Sequence, residues 1–255
     1  MIRFVPLKLA TFLFILIAVS GQTRAAEIKA FFPGAMRPAL AELIPQFEKA
    51  SGHKVVITYG SVGAILNRLK KGEAADLVVV SDGPLADLIR QRTISPDGHA
   101  TVAMMGIGVF MRKSAVKPDI SSADAFKKAL LSAKSIVYKD PAVGDSSAIF
   151  ASGLIERLGI AAEMKPKTKV VPPTDCINTV VKGDAEIGFD QMSNVVADSR
   201  VEPIGILPPG IQHYTNYAGG VVMESKQKEA AKALIDFLRS STSQAVMKQK
   251  GFEPL

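Results

Sequence analysis

The strongest constraint on the fold of this chain is a repeated alternation of short apolar runs with amphipathic helical segments. Between residues 28 and 91 the periodicity predicts strands that are each followed by a helix, and Gly52 and Gly72 are typical helix-ending residues. A second series of the same kind runs from residue 135 to residue 189. Strands that alternate with helices form parallel sheets covered by helices. The sequence therefore predicts an α/β protein with two such units.

A long apolar segment separates the two units and indicates how they are connected. Residues 101–111 predict one strand with several glycines, which suits a crossover between two lobes. Another strand near residues 213–223 and two closing helices follow the second unit. We therefore expect two lobes, the second inserted in the first, with a ligand cleft between them. In this prediction lobe one comprises residues 26–104 and 213–255, and lobe two comprises residues 105–212.

Residues 1–25 differ from the rest of the chain and predict a secretory signal peptide. Two basic residues precede an apolar run over residues 9–19, and the small residues Thr23 and Ala25 are placed for cleavage. The apolar run is shorter than the roughly 20 residues that a membrane-spanning helix needs. We therefore expect export to the periplasm. Because no cysteine lies near the cleavage point, we expect no lipid anchor.

Composition excludes several classes of function. Three of the 31 basic residues and none of the 24 acidic residues lie in the signal segment, so the net charge falls from +7 to +4 on cleavage. No dense lysine and arginine cluster stands beside aromatic residues, so no nucleic-acid partner is expected. The single cysteine, Cys176, excludes an internal disulfide. The three histidines lack the spacing of metal ligands, so we expect no metal ion and no cofactor.

Small-residue turns lead from predicted strands into predicted helices at four places, residues 32–38, 59–64, 140–150 and 172–178. Unpaired N–H groups and a partial positive charge at a helix N-terminus favour anions. In open α/β sheets, ligands bind beyond the carboxyl ends of strands, where such turns lie. Each turn alone is more typical of an ordinary capped helix start. Two such turns in each lobe predict a shared anion-binding cleft.

Arg37 provides a second argument for an anion. It stands just before Pro38, and proline favours the first helical position. A cation at this end of a helix is opposed by the helix dipole. We therefore expect either a bound anion or a nearby acidic side chain, and the alternative is an arginine that points into solvent.

The chain resembles the periplasmic molybdate-binding proteins of ABC importers along nearly its whole length. The similarity rests on "AELIPQFEKASGHKVVITYGSVGAILNRLKKGEAADLVVVSD", "YKDPAVGDSSAIFASGLIERLGI", "VVKGDAEIGFDQMSNV" and "AAKALIDFLRSSTSQAVMKQKGF", which match in order and spacing. The resemblance implies the two-lobed periplasmic binding protein fold and a hinge of crossing strands. It also implies an oxyanion held by neutral donors, a membrane permease as partner, and a monomer.

The resemblance also implies a set of ligand-binding residues, to which our own interpretation adds Arg37. Gly34 and Ala35 stand where the family has a pair of serines, and Gln191 stands where it has a tyrosine. These departures remove hydroxyl donors, whereas Arg37 suits the planar fork of a carboxylate. Tyr59 is an additional candidate. The predicted ligand-binding residues are Gly34, Ala35, Arg37, Ser61, Val62, Gly63, Ser147, Cys176 and Gln191.

Three functions follow, in order of preference. The first is a periplasmic receptor of an ABC importer that binds a small oxyanion such as molybdate or tungstate, and the second is the same receptor for a small organic carboxylate. The third is a periplasmic enzyme on the same fold, with Asp145, Asp175 or Asp190 as the base, together with Tyr59. No nucleophile–base pair, metal motif or phosphate loop is present, so we predict a binding protein with no catalytic residues. The sequence does not separate import from a sensing role.

Overall fold

The computed structural model describes residues 25–113 and 115–255. The predicted signal peptide therefore lies outside the described residues, apart from its last residue. Within these ranges, no helix combines the length and the hydropathy that a membrane crossing requires.

The first part of the described chain follows the predicted alternation. A short 3₁₀ turn, Gly34–Met36, links the first strand to the first helix. Pro38 occupies the start of that helix, and Gly52, with a left-handed φ of 76°, ends it. The elements are β1 (Glu27–Pro33), α1 (Arg37–Ser51), β2 (Lys54–Gly60), α2 (Val62–Lys70), β3 (Leu77–Ser81), α3 (Asp82–Arg90) and β4 (Ile94–Arg112).

The remaining elements build the second unit and then return to the first. They are α4 (Ala123–Ser132), β5 (Ile136–Lys139), α5 (Ser146–Arg157), α6 (Ala161–Met164), β6 (Thr168–Val171), α7 (Cys176–Val181), β7 (Ile187–Gln191), α8 (Met192–Ala197), β8 (Val201–Ile206), β9 (Tyr214–Val222), α9 (Lys228–Arg239) and α10 (Ser241–Gln249).

Two groups of parallel strands confirm the predicted α/β class. In lobe one, β1 pairs in parallel with β2 and β3, and in lobe two, β5 pairs in parallel with β6 and β7. Antiparallel strands complete each group, because β9 joins β3 to β4 while β7 and β8 both pair with β4. The strand order is β2-β1-β3-β9-β4-β7-β5-β6, with β8 also on β4.

One strand, β4, belongs to both lobes. Its residues as far as Gly106 pair with β9, and its residues from Ile107 to Arg112 pair with β7 and β8. The strand is 19 residues long and therefore starts seven residues earlier than the predicted Thr101. Residues 95–98 are Ser-Pro-Asp-Gly, so this early part has no apolar strand pattern, and its pairing with β9 is irregular. The predicted crossover is thus a continuous strand.

The described residues form two hydrophobic cores. The larger core lies beneath the sheet of lobe one, where Phe32 and Leu40 are almost completely buried, and it extends into lobe two, where it includes Phe110. The smaller core of lobe two contains Phe126 and Phe189, whose rings meet edge to face at 5.9 Å. The closing helices α9 and α10 pack in lobe one, which makes the second unit an insertion in the first.

Four elements of lobe two were absent from the sequence prediction, and the shortest of them, α6, has only four residues. Strand β8 contains Pro203 and Gly205, which weaken a strand pattern. Helix α8 has six residues, too few for a helical period to show. Helix α4 could have been predicted from Ser122, because serine is a favoured N-cap residue. In the structure Ser122 caps this helix and accepts a hydrogen bond from the backbone N–H of Ala125 at 3.1 Å.

Gly188 provides a test of the core of lobe two. A Cβ at this position of β7 would overlap the buried ring of Phe110. We expect Gly188→Ala to lower the free energy of unfolding by about 1–3 kcal/mol, the usual cost of overpacking. The control is Gly83→Ala in α3, where a Cβ meets open space and alanine favours the helix. Urea unfolding curves that coincide for the two variants would contradict this packing.

Candidate functional site

A cavity of about 770 Å³ lies between the two lobes. Lobe one contributes the turns at residues 33–37 and 59–64 and a tyrosine of β9. Lobe two contributes the ends of β5 and β7 and the segments around residues 143–146 and 173–178. The turns predicted to form an anion-binding cleft therefore do meet at one place.

Ser61 closes one edge of this cavity. As N-cap of α2, its Oγ accepts a hydrogen bond from the backbone N–H of Ala64 at 3.1 Å. The same hydroxyl donates to the backbone carbonyl of Val143 in lobe two at 2.6 Å. Beside it the N–H of Gly63 donates to the carbonyl of Gly144 at 3.4 Å. The hydroxyl of Ser61 therefore links the lobes as well as capping a helix.

Gly63 and Gly144 approach each other too closely for side chains. A Cβ on Gly144 would lie 2.9 Å from the Cα of Gly63, and the φ of Gly144 is 72°. A second contact joins the lobes elsewhere, because the buried Ser193 hydroxyl donates to the carbonyl of Ala35 at 2.6 Å. These hydrogen bonds of Ser61 and Ser193 join the two lobes, and we call this arrangement the closed form.

Arg37 lies on the cavity wall and stacks on Tyr59. Its guanidinium carbon is 3.9 Å from the centre of the tyrosine ring, a cation–π geometry. Burial raises the pKa of Tyr59, and the positive charge of Arg37 opposes that shift. Within the described ranges Arg37 forms no ion pair. The acidic neighbour considered from the sequence is therefore absent from the described residues, and Arg37 lines the cavity while staying exposed to solvent.

A buried cluster of one lysine and two aspartates forms the opposite wall. Lys139, the last residue of β5, places its Nζ 2.5 Å from Asp190 Oδ1 and 3.3 Å from Asp145 Oδ2. The lysine and Asp190 are 95–98% buried, with relative exposures of 5% and 2%. Asp145 is the N-cap of α5 and accepts hydrogen bonds from the Ser147 and Ala148 N–H groups. We call these three side chains the acid–lysine cluster.

The two carboxylates of the acid–lysine cluster differ in acidity. Burial raises the pKa of Asp190 above its usual value, and the ammonium of Lys139 only partly offsets this effect. Burial acts on Asp145 too, but Lys139 and the hydrogen bonds from Ser147 and Ala148 hold its pKa below the usual range. Burial lowers the pKa of Lys139, but the negative charges of Asp190 and Asp145 have a larger combined effect and raise it. The lysine therefore stays charged.

The structure brings part of the predicted site to the cavity. Gly34, Ala35, Arg37, Ser61 and Val62 line it, and Tyr59 does as well. Gly63 lies at the contact between the lobes instead.

The three predicted ligand contacts from lobe two lie behind the cavity wall. Ser147 is buried, and its hydroxyl donates to Asp145 at 2.5 Å. The Cys176 thiol is buried against the carbonyl of Phe189, and burial raises its pKa. Both side-chain amide atoms of Gln191 are buried without a hydrogen-bond partner in the described part of the chain. Of the three candidate bases, Asp145 and Asp190 line the cavity, whereas Asp175 is exposed outside it.

Sequence reasoning missed several residues of the cavity wall, among them Lys139, Arg200 and Tyr217. Lys139 ends a strand of apolar residues, and a charged residue at such a position was an available signal. Tyr217 lies in β9, is 2% exposed and lines the cavity from lobe one. Burial raises its pKa, and the charges of Asp145 and Asp190 add to the shift, so its hydroxyl stays protonated. No sequence pattern indicated that the last strand crosses back to the cleft.

Residues 28–253 match the model of a family described as bacterial extracellular solute-binding proteins. The chain belongs to this family. The solved periplasmic molybdate-binding protein of Azotobacter vinelandii has the same fold as this chain. That structure has a TM-score of 0.74 and 17% identity, and the match covers 89% of this chain and 99% of the other.

Two curated relatives of this solute-binding protein carry different names. An aconitate isomerase from a Pseudomonas species is 31% identical over 228 residues, which cover 87% of this chain and 86% of the relative. The molybdate-binding protein ModA of Azotobacter vinelandii is 23% identical over 232 residues, or 90% of each chain. The resemblance to molybdate-binding proteins is thereby confirmed, and the two relatives are named after different compounds.

Ser61→Ala tests the link between the lobes. The variant loses a helix cap, which costs about 1 kcal/mol, and a hydrogen bond that exists only in the closed form. We expect ligand affinity to fall about 2- to 12-fold, the equivalent of one net hydrogen bond. Ser122→Ala is the matched control, because it removes the cap of α4 away from the cavity. Calorimetric titrations that show the same affinity for both variants would contradict the linking role.

Proposed function

We propose that this solute-binding protein binds a small organic polycarboxylate between its lobes. The observation that carries the proposal is the combination of charges on the cavity wall. Arg37 presents a guanidinium without a carboxylate partner among the described residues, and its planar fork matches a carboxylate. The wall opposite contains the acid–lysine cluster. An elongated anion with carboxylates at separate points fits this layout.

The same wall is unfavourable for molybdate or tungstate. The resemblance to the molybdate-binding family implies an oxyanion held by neutral donors, whereas this cavity places Asp145 and Asp190 on its surface. Carboxylates within a few ångströms of a compact dianion repel it strongly in a low-dielectric site, whereas an elongated polycarboxylate can place its charged groups farther from Asp145 and Asp190. Gly34 and Ala35 have no hydroxyl to donate, and that of Ser61 is already directed at Val143. A small oxyanion stays the alternative ligand.

Arg200 does not compensate for these missing donors. It lines the outer part of the cavity, but its guanidinium is held by Asp198 at 2.6 Å and by the side chain of Asn178 at 3.1 Å. Its charge is therefore largely neutralised within lobe two. Arg37 remains the cation with which a ligand carboxylate would pair.

The isomerase relative supports the same class of ligand. It covers most of this chain at 31% identity, and aconitate is an unsaturated tricarboxylate. The proposed biological role is that of an exported receptor that closes on its ligand by hinge motion of the lobes and docks on a membrane permease as a monomer. Export, the permease and the monomeric state are parts of this proposal.

Isomerisation of the bound carboxylate is a second candidate function. Two observations favour it, namely the name of the relative and the presence of Asp190 and Lys139 in the cavity wall. Groups whose pKa values are shifted apart in a cleft are typical of acid–base catalysis. The prediction of a purely non-enzymatic protein therefore requires a direct test.

A thermal-shift panel on protein that has been unfolded and refolded to remove ligand tests the binding proposal. The panel contains aconitate, citrate, tricarballylate, glutaconate, molybdate, tungstate, sulfate and phosphate. A ligand at one hundred times its Kd stabilises the fold by about 2.7 kcal/mol, which gives a clear shift. We expect shifts with polycarboxylates. Shifts with molybdate and tungstate alone would replace the proposal with the oxyanion alternative.

Arg37→Ala tests the proposed anchor. Loss of a charge-assisted hydrogen bond costs about 1.5–3 kcal/mol, so affinity for the polycarboxylate is expected to fall about 10- to 150-fold. Arg37→Lys should recover only part of it, because an ammonium has no planar fork. Arg68→Ala is the control, since Arg68 pairs with Glu73 outside the cavity. Equal affinities for the alanine variants would remove Arg37 from the site.

A further inference from the structure

We propose that the cavity is a proton-transfer centre in which Asp190 accepts a proton from the bound ligand and the hydroxyl of Tyr217 donates a hydrogen bond to the charge that develops. The inference rests on the proposed polycarboxylate ligand. It assigns catalytic roles to two residues of the wall and a positioning role to Lys139.

The hydrogen bonds of Asp190 leave one of its oxygens available. Its Oδ1 accepts from the Lys139 ammonium at 2.5 Å, from the Gln191 N–H at 2.7 Å and from the Asn194 amide at 2.9 Å. Its Oδ2 accepts no hydrogen bond within the described residues. This oxygen keeps a small solvent-accessible surface. Because Asp190 lines the cavity, the carboxylate is fixed through one oxygen and presents the other to a ligand.

Asp145 is arranged in the opposite way and does not suit the same role. Its Oδ1 accepts from the Ser147 N–H, the Ser147 hydroxyl and the Ala148 N–H at 3.0, 2.5 and 3.2 Å. Its Oδ2 faces Lys139 at 3.3 Å. These donors stabilise the ionised form and lower the basicity of the carboxylate. Asp145 therefore acts as a fixed negative charge that holds Lys139 in place.

Lys139 separates the roles of the two acids. Its ammonium bridges both carboxylates and is 6% exposed at the side chain, so it is a poor proton acceptor. Two carboxylates that share one cation in a buried site do not hold their protons equally. The better-solvated and better-hydrogen-bonded Asp145 ionises first, which leaves the fully buried Asp190 as the carboxylate with the higher proton affinity. A carboxylate with a raised proton affinity has a pKa closer to the pH at which the protein works, which favours its use as a general base.

Tyr217 supplies a donor from the other lobe. Its ring is buried in β9 and lines the cavity, and its hydroxyl forms no hydrogen bond within the described part of the chain. Burial and then the charges of Asp145 and Asp190 raise the pKa of Tyr217, and both carboxylates line the same cavity as its ring. A tyrosine from lobe one and an aspartate from lobe two therefore face one space when the lobes are closed.

The reaction that this arrangement supports is a 1,3-proton shift. Asp190 removes a proton from a carbon that lies between a carboxylate and a carbon–carbon double bond. The C–H electron pair spreads over the allylic carbons and their carboxylates, and Tyr217 donates a hydrogen bond to this charge. The Asp190 carboxyl exchanges this proton with solvent and then returns a proton to the other end of the allylic system. The double bond has moved, Asp190 is again ionised, and no oxidant, reductant or cofactor is consumed.

The test measures proton exchange and binding separately. The probe is trans-aconitate, the unsaturated tricarboxylate of the ligand panel, incubated in D₂O with the full-length mature protein and followed by proton NMR. Calorimetric titration of the same samples gives the affinity. Wild-type protein is expected to introduce deuterium at the carbons next to the carboxylates and to form the cis isomer.

Isosteric variants assign the roles. We expect Asp190→Asn to keep binding within about tenfold and to lose at least about 100-fold in exchange rate, the scale of general base catalysis. Tyr217→Phe should lower the exchange rate with little change in Kd, since its hydroxyl acts on the developing charge. Asp175→Asn, the same change at an exposed acid outside the cavity, should match wild type.

Each outcome decides a separate point. Binding of trans-aconitate without deuterium exchange by the wild-type protein would overturn the proton-transfer centre and leave the proposed ligand class intact. Exchange that persists in Asp190→Asn would overturn the assignment of Asp190. Absence of binding by every carboxylate in the panel would contradict the proposed function itself, together with this inference. Far-UV circular dichroism of each variant confirms that it is folded.

Discussion

The continuous strand β4 is the constraint on which the rest of the structure depends. Its first part is hydrogen-bonded into lobe one and its last part into lobe two, so the two sheets cannot be positioned independently. The carboxyl ends of the neighbouring strands β1, β2, β5 and β7 consequently lead into turns that face a common space. The cavity follows from this connectivity, in keeping with the general position of ligands in open α/β sheets.

The contents of the cavity wall then determine its chemistry. Burying Lys139 and Asp190 is costly, and the cost is offset only because the ammonium contacts two carboxylates and Asp190 accepts two further hydrogen bonds. A cluster of apolar residues of the same volume would give a stable lobe at lower cost. Charges retained at the strand ends and directed at a cavity are therefore better explained by interaction with a ligand than by stability of the fold.

The sequence was sufficient for the fold and for part of the site. The alternation of strands and helices predicted both lobes, and the small-residue turns predicted the wall that lobe one contributes through Gly34, Arg37 and Ser61. Lobe two was less accessible, because its site residues were taken from a resemblance rather than from their own chemistry. Ser147 and Cys176 matched family positions but are directed inward, and their ligand role stays a prediction.

Long-range geometry explains what the sequence did not show. Lys139, Asp145 and Asp190 meet only because β5 and β7 are adjacent in the sheet and α5 starts beside them. Tyr217 reaches the same space because β9 crosses back between β3 and β4. No spacing along the chain encodes either meeting. Asp145 and Asp190 were considered singly as bases, and their opposite environments became visible only when their hydrogen-bond partners were known.

A crystal structure of the mature protein grown with a saturating tricarboxylate would show directly whether the ligand occupies the cavity between the lobes. We expect electron density for the ligand there, with one carboxylate at the guanidinium of Arg37 and the carbon chain directed toward Asp190 and Tyr217. Contradiction would come from an empty cavity with the ligand bound elsewhere. A compact oxyanion retained at the turns of lobe one, with the tricarboxylate excluded, would contradict it equally.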